Sequence, residues 1–146
     1  ASRNHVPRAD FYLIAKPRFR EEPLRLVCEL VRKAYDAELW TLVLARDSAQ
    51  AEALDDLLWD MGEDAYIPHQ IAGRDDEDDI TPVLIVAPQT DMPMRPLVIN
   101  LRDEPVAGPF DRVLEVVPAD DAARGPLRDR WKHYKAQGLE LNKYDM

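Results

Sequence analysis

"PVLIVAP", Pro82–Pro88, decides the fold class. Four apolar residues, Val83 to Val86, stand in a row between prolines, a run too short for a helix. They do not alternate with polar residues, so the strand they predict is buried on both faces. Strands of that kind belong to parallel sheets sheathed by helices.

Similar runs lie on either side. "DFYLIA" (10–15), "LWTLVLAR" (39–46), "LVINLRD" (97–103) and "RVLEVVP" (112–118) predict four more strands. Between the first two, Leu24, Val27, Cys28, Val31 and Tyr35 recur at helical spacing, and Pro23 suits a first helical turn. A helix over about 22–38 follows. Asp47 or Ser48 caps a second helix, Ser48 to about Gly62, whose stripe is Ala51, Leu54, Leu58 and Met61. A last helix is expected over about 126–137, stopped by Gly138. Residues 65–73 read as irregular or briefly extended, and "RDDEDD" (74–79) as a solvated loop. The alternation predicts a three-layer α/β domain over residues 10–146, with a mostly parallel five-stranded sheet.

The chain has 146 residues, enough for one core. "ASRNHVPRAD" has no apolar stretch of the kind a secretory signal needs, so residues 1–9 are expected to be a disordered leader or a cloning remnant. No stretch approaches the roughly 20 apolar residues of a membrane span. Cys28 is the only cysteine, lies in an apolar helical stripe and is expected to be an inert core thiol in a reducing, cytoplasmic setting.

An α/β sheet often binds nucleotides, yet the five glycines, at 62, 73, 108, 125 and 138, are too far apart for a phosphate loop. The serines are Ser2 and Ser48, neither placed as a nucleophile, and the three histidines match no metal spacing. No catalytic residue, cofactor or metal is predicted. The net charge of -9 disfavours general nucleic-acid binding, unless the cations are segregated on one face.

They are segregated in "RGPLRDRWKHYKAQG" (124–138), which holds Arg124, Arg128, Arg130, Lys132 and Lys135 against Asp129 alone. At about 100° per residue, Arg128, Lys132 and Lys135 form a cationic stripe, and Trp131 lies between it and the apolar face. Two readings fit. The helix is a surface helix whose cations favour its C-terminal dipole, with Trp131 as core. Or it walls a groove for a ligand with acids beside an apolar tail, such as a short peptide. Pro126 disfavours helix at Gly125, so Arg124 is expected to lie off the helix or beyond a kink.

"DFYLI", "LVCELVRKAY", "ALDDLLW", "YIPHQIAG", "VINL", "EVVP" and "RWKHYKAQGLELN", in that order, resemble the chi subunit of bacterial DNA polymerase III holoenzyme over residues 10–142. The resemblance implies a Rossmann-like sheet without a phosphate loop, in a non-catalytic accessory subunit associated with the clamp loader. It implies two partners: the psi subunit, and the C-terminal tail of single-stranded-DNA-binding protein, several aspartates followed by Ile-Pro-Phe. Contact with single-stranded DNA would be indirect.

By that resemblance Arg128 matches a tail-binding cation, and Arg124 stands where the family has lysine. Arg124 and Arg128 would pair with the tail's carboxylates, with Lys132 and Lys135 beside them. The terminal Phe would pack near Val117, Trp131, Gly138 and Leu139, Trp131 replacing a common tyrosine. Trp59 borders the apolar stripe of its helix and reads equally as core or as interface; Tyr66, Pro68 and His69 follow closely. The resemblance aligns this segment with the psi-facing surface. Rival expectations are a direct single-stranded-DNA-binding module using Trp131 as a stacking platform, and a small nucleotide-binding enzyme.

Overall fold

The computed structural model describes residues 6–61, 66–74 and 76–146. Its strands are β1 (Arg8–Leu13), β2 (Thr41–Leu44), β3 (His69–Ile71), β4 (Val83–Val86), β5 (Leu97–Asn100), β6 (Arg112–Val117) and β7 (Glu140–Asp145). Its α-helices are α1 (Pro17–Glu21), α2 (Pro23–Asp36), α3 (Ser48–Trp59) and α4 (Arg124–Ala136). The strands form one sheet of seven, in the order β3-β4-β2-β5-β6-β1-β7. Every pairing is parallel.

The sheet thus has seven strands rather than the expected five. The two additions, β3 and β7, are its edges. An edge strand bonds to one neighbour only and tends to be short or charged. β3 has three residues, and β7, "ELNKYD", has no apolar run. Each is a strand because its neighbour supplies hydrogen bonds, which apolar periodicity does not register. β1 begins at Arg8, two residues ahead of the expected domain start.

The middle of the sheet follows the reading of "VLIV": β4 and β5 are buried at every position. One face packs Val43, Ile85, Ile99 and Leu114 under α2 and α3. On the other face, α4 covers Ala9, Phe11, Val113 and Val117 with Leu127, Trp131 and Tyr134. The rest of that face, Leu42, Leu84 and Val86, is covered by the proline-broken loop after β4 through Met92 and Met94. The second outer layer is therefore half helix and half loop.

Local chemistry sets the helix ends. Asp47 caps α3 by accepting from the Gln50 N–H at 2.7 Å. Gly138 ends α4 at φ +84. Its N–H donates to the Lys135 carbonyl, and that of Leu139 to the Tyr134 carbonyl, both at 3.1 Å. Only glycine adopts this left-handed turn without strain. α4 starts at Arg124, not at Pro126 as expected. The clash that proline imposes on its predecessor acts partly through that residue's Cβ, which Gly125 lacks. A proline also costs little in a first turn, where N–H groups have no helical acceptor. Cys28 is buried, and burial pushes its thiol pKa up to about 11. Among the described residues no helix is long and apolar enough to cross a membrane.

Candidate functional site

α4 is fixed to the sheet by two polar side chains on its inner face, Arg130 and Tyr134, both buried. Arg130 Nε lies 2.8 Å from Glu115 Oε1 on β6, and its Nη1 donates to the Asp103 carbonyl at 3.0 Å. The Tyr134 hydroxyl donates to Glu115 Oε2 at 2.6 Å and accepts from the Val106 N–H at 2.8 Å. Asn100 Nδ2 donates to Glu115 Oε2 at 3.0 Å. Burial raises the Glu115 carboxyl above its ordinary range, opposed by the Arg130 charge and these hydrogen bonds. Burial and the Glu115 carboxylate push the Tyr134 phenol up.

With those anchors inward, the opposite face of α4 carries Arg124, Arg128 and Lys132 at i, i+4 and i+8, all exposed. Beside it lies a groove of about 430 Å³ lined by Phe11, Leu127, Arg128, Trp131, Lys132 and Lys143. Trp131 is half-buried and tilted against Phe11, with ring centroids 5.0 Å apart. Trp131 thus packs in the core on one side and lines the groove on the other.

The structure joins three of the predicted residues, Arg128, Trp131 and Lys132, in this groove. Val117 and Leu139 belong to the apolar cluster around Trp131, but Val117 is buried and neither lines the groove. Arg124 is solvated and paired with Asp121 at 3.6 Å, an exposed contact of little energetic weight. Lys135 is exposed away from the lining, and Gly138 acts through its backbone turn. Lys143 was missed. It stands opposite Phe11 in the β1–β7 register, so only recognition of β7 as a strand would have placed it.

A second cluster lies where α3 ends and β3 begins. Trp59 is 57% exposed and Tyr66 52%, which settles Trp59 as surface rather than core. Their ring centroids are 5.3 Å apart, and Trp59 lies 5.1 Å from the His69 ring. Pro68 is half-buried. His69 is buried, so it supports Trp59 from beneath and does not offer a contact surface itself. Its Nδ1 donates to the Ile67 carbonyl at 2.6 Å, and Nε2 faces Asp55 Oδ1 at 3.3 Å. Burial raises the Asp55 carboxyl, opposed by the imidazole.

The ligand crevice of open parallel sheets lies at the carboxyl ends of the strands. There the turns after β1, β2 and β4 carry no glycine. Arg102 fills the space instead, donating to the Ala45 carbonyl at 2.8 Å and the Val86 carbonyl at 2.9 Å.

Fold and surface together define a parallel α/β protein whose surface carries a cation-edged apolar groove and an exposed aromatic cluster. The same fold occurs in the C-terminal domain of the DEAD-box protein Dbp5, at a TM-score of 0.65 over 97% of this chain and 91% of that one. At 14% identity the likeness is one of fold alone. The chain belongs to the DNA polymerase III chi subunit, HolC, family, whose model matches residues 6–142. The DNA polymerase III subunit chi of Pseudomonas aeruginosa is 36% identical over 140 residues, 93% of this chain and 94% of that protein. The Escherichia coli subunit chi is 31% identical over 121 residues, 81% and 82% of the two chains. Membership makes the chain an accessory component of the replicative polymerase assembly.

Proposed function

We propose that this protein is a non-catalytic, cytoplasmic adaptor that binds the acidic C-terminal tail of single-stranded-DNA-binding protein in the α4 groove and the psi subunit at the Trp59–Tyr66 cluster. The observation that carries the first half is the groove's composition: three cations, Arg128, Lys132 and Lys143, around an apolar floor of Phe11, Leu127 and Trp131. A tail of aspartates ending in Ile-Pro-Phe has the complementary pattern. Its carboxylates pair with Arg128, Lys132 and Lys143, with Arg124 as an outer contact one turn away. Its terminal Phe packs against Trp131 and Leu127. Val117 and Leu139 support that wall from beneath. Opposite charge speeds encounter and selects the partner, while apolar burial supplies most of the holding energy. DNA is engaged through the partner, since the chain itself carries a net charge of -9.

The test is a titration with a peptide ending Asp-Asp-Asp-Ile-Pro-Phe, followed by tryptophan fluorescence. Saturable binding near the micromolar range, about -8 kcal/mol, is expected. Arg128→Glu is expected to weaken it about tenfold, through a lost attraction and a new repulsion. Removal of the terminal Phe is expected to weaken it further. Equal binding by all of these, or preferential binding of single-stranded DNA without any partner, would overturn the proposal.

Support for the psi surface is the exposed aromatic pair, because Trp and Tyr dominate interface energetics. Trp59→Ala and Tyr66→Ala are each expected to weaken psi binding by about 2 kcal/mol, some thirtyfold, and to leave tail binding unchanged. Calorimetry with purified psi checks this. Wild-type affinity in both folded variants would move the psi site elsewhere.

A further inference from the structure

A third tryptophan is unused by either surface. Trp40 precedes β2 and is 42% exposed. Strand register explains its position. Thr41 pairs with Val83 on one side and Leu97 on the other, and Val83 pairs in turn with His69. Pro68, Pro82, Trp40 and Pro96 therefore stand in a row along the amino-terminal edge of the sheet, one strand spacing apart. Proline has no N–H to offer there, so this edge presents apolar side chains.

Trp40 divides two cavities. One, of about 560 Å³, is lined by Trp40, Met92, Pro93, Met94 and Pro96. The other, of about 440 Å³, lies between Trp40, Tyr35, Leu39 and Pro82. Ile80, 65% exposed, lies two residues before Pro82. Methionines adapt to varied apolar guests, and an exposed apolar surface with a polar rim marks an interaction site.

The rim is acidic on both sides. Asp76, Asp78 and Asp79 border the larger cavity, and Asp36 and Glu38 the smaller. Asp78 is committed to its own loop, accepting from the Gly73 N–H and Gln70 Nε2, and Asp36 is paired with Arg32. Asp76, Asp79 and Glu38 have no ion-pair partner among the described residues. Among the described residues, the one cation lining the larger cavity is Arg95. Its guanidinium lies 4.9 Å from the Trp40 ring and donates to the carbonyls of Asp78, Thr81 and Pro82. That guanidinium is engaged with strand-end carbonyls and stiffens Trp40, which leaves the rim negative.

We infer that the Trp40 cavities dock a protein segment whose apolar side chain, of the Leu or Phe kind, is flanked by lysines or arginines. The charge pattern is the reverse of that of the α4 groove. One face selects an acidic-apolar segment and this one a basic-apolar segment, so the two ligands do not compete. Nucleic acid is repelled by the rim.

The test uses the full chain and a peptide probe, Lys-Arg-Leu-Phe-Leu-Arg-Lys, in an NMR titration that follows the indole N–H resonances. The Trp40 resonance is expected to shift saturably at low salt. Trp40→Ala and the Asp76→Asn/Asp79→Asn pair are each expected to weaken binding about tenfold. Trp59→Ala and Arg128→Glu are expected to leave it unchanged, and the amide spectrum of each variant reports its folding. Three results would overturn the inference: equal binding of a peptide with serine in place of Leu and Phe, shifts centred on Trp59 or Trp131, or no shift at all. Self-association through this face, read by sedimentation without peptide, would instead make a second copy the occupant and overturn it too.

Discussion

Arg130→Ala is expected to destabilise the protein by about 3–5 kcal/mol, although it removes one of the cations of an apparently cationic helix. Arg130 is buried, with its Nε 2.8 Å from the fully buried Glu115 carboxylate. Truncation leaves that carboxyl desolvated and without its counter-ion, so holding its charge or taking up a proton both cost stability, the costly way to break a buried pair. The hydroxyl of Tyr134 and the amide of Asn100 remain, but neither carries charge. The melting temperature should fall by about 10–15 °C. Arg130→Met combined with Glu115→Gln should cost much less, because no orphaned charge remains. A loss below about 1 kcal/mol in the single variant would mean that the network does not hold α4. Urea unfolding of the three proteins decides this.

The second large effect is expected from Trp131→Ala. The ring packs on Phe11 at 5.0 Å and walls the groove, so stability and binding both depend on it. Removing a half-buried indole should cost about 2–3 kcal/mol of stability, less than the full-burial range. Affinity for the Asp-Asp-Asp-Ile-Pro-Phe peptide should fall at least about thirtyfold, as for an interface anchor. Isothermal titration calorimetry reads this in the variant, which lacks the fluorescent reporter. Trp131→Tyr keeps an aromatic wall and should restore most of both. A folded Trp131→Ala variant that binds the peptide within about threefold of wild type would place the apolar contact elsewhere.

The contrast between Arg128 and Arg130 shows why the site was only partly legible. Both stand in one run of charge, two residues apart, and residue type does not separate them. Helical spacing puts them on different faces, and the sheet decides what each face meets. Arg130 meets Glu115, a lone acid in the apolar run "RVLEVVP". That acid at a buried strand position was the available signal that a cation had to lie opposite it. Trp59 gave no such signal, since a tryptophan at the border of a stripe suits core and surface equally. For Lys143, the polar sequence of β7 concealed both the strand and its register with Phe11.

The amino-acid sequence by itself determined the interior of this protein. Continuous apolar strands can be satisfied only between two covering layers, so "VLIV" required a buried parallel sheet, and periodic helices supplied one of its covers. It also carried the seven segments, from "DFYLI" to "RWKHYKAQGLELN", that resemble the family. Tertiary structure alone decided the number of strands, the burial of Arg130 against Glu115, and which tryptophans form surfaces. The reason is physical: burial of a long apolar run is dictated by its own composition, whereas an edge strand, a buried ion pair and a groove each depend on atoms supplied by a distant segment.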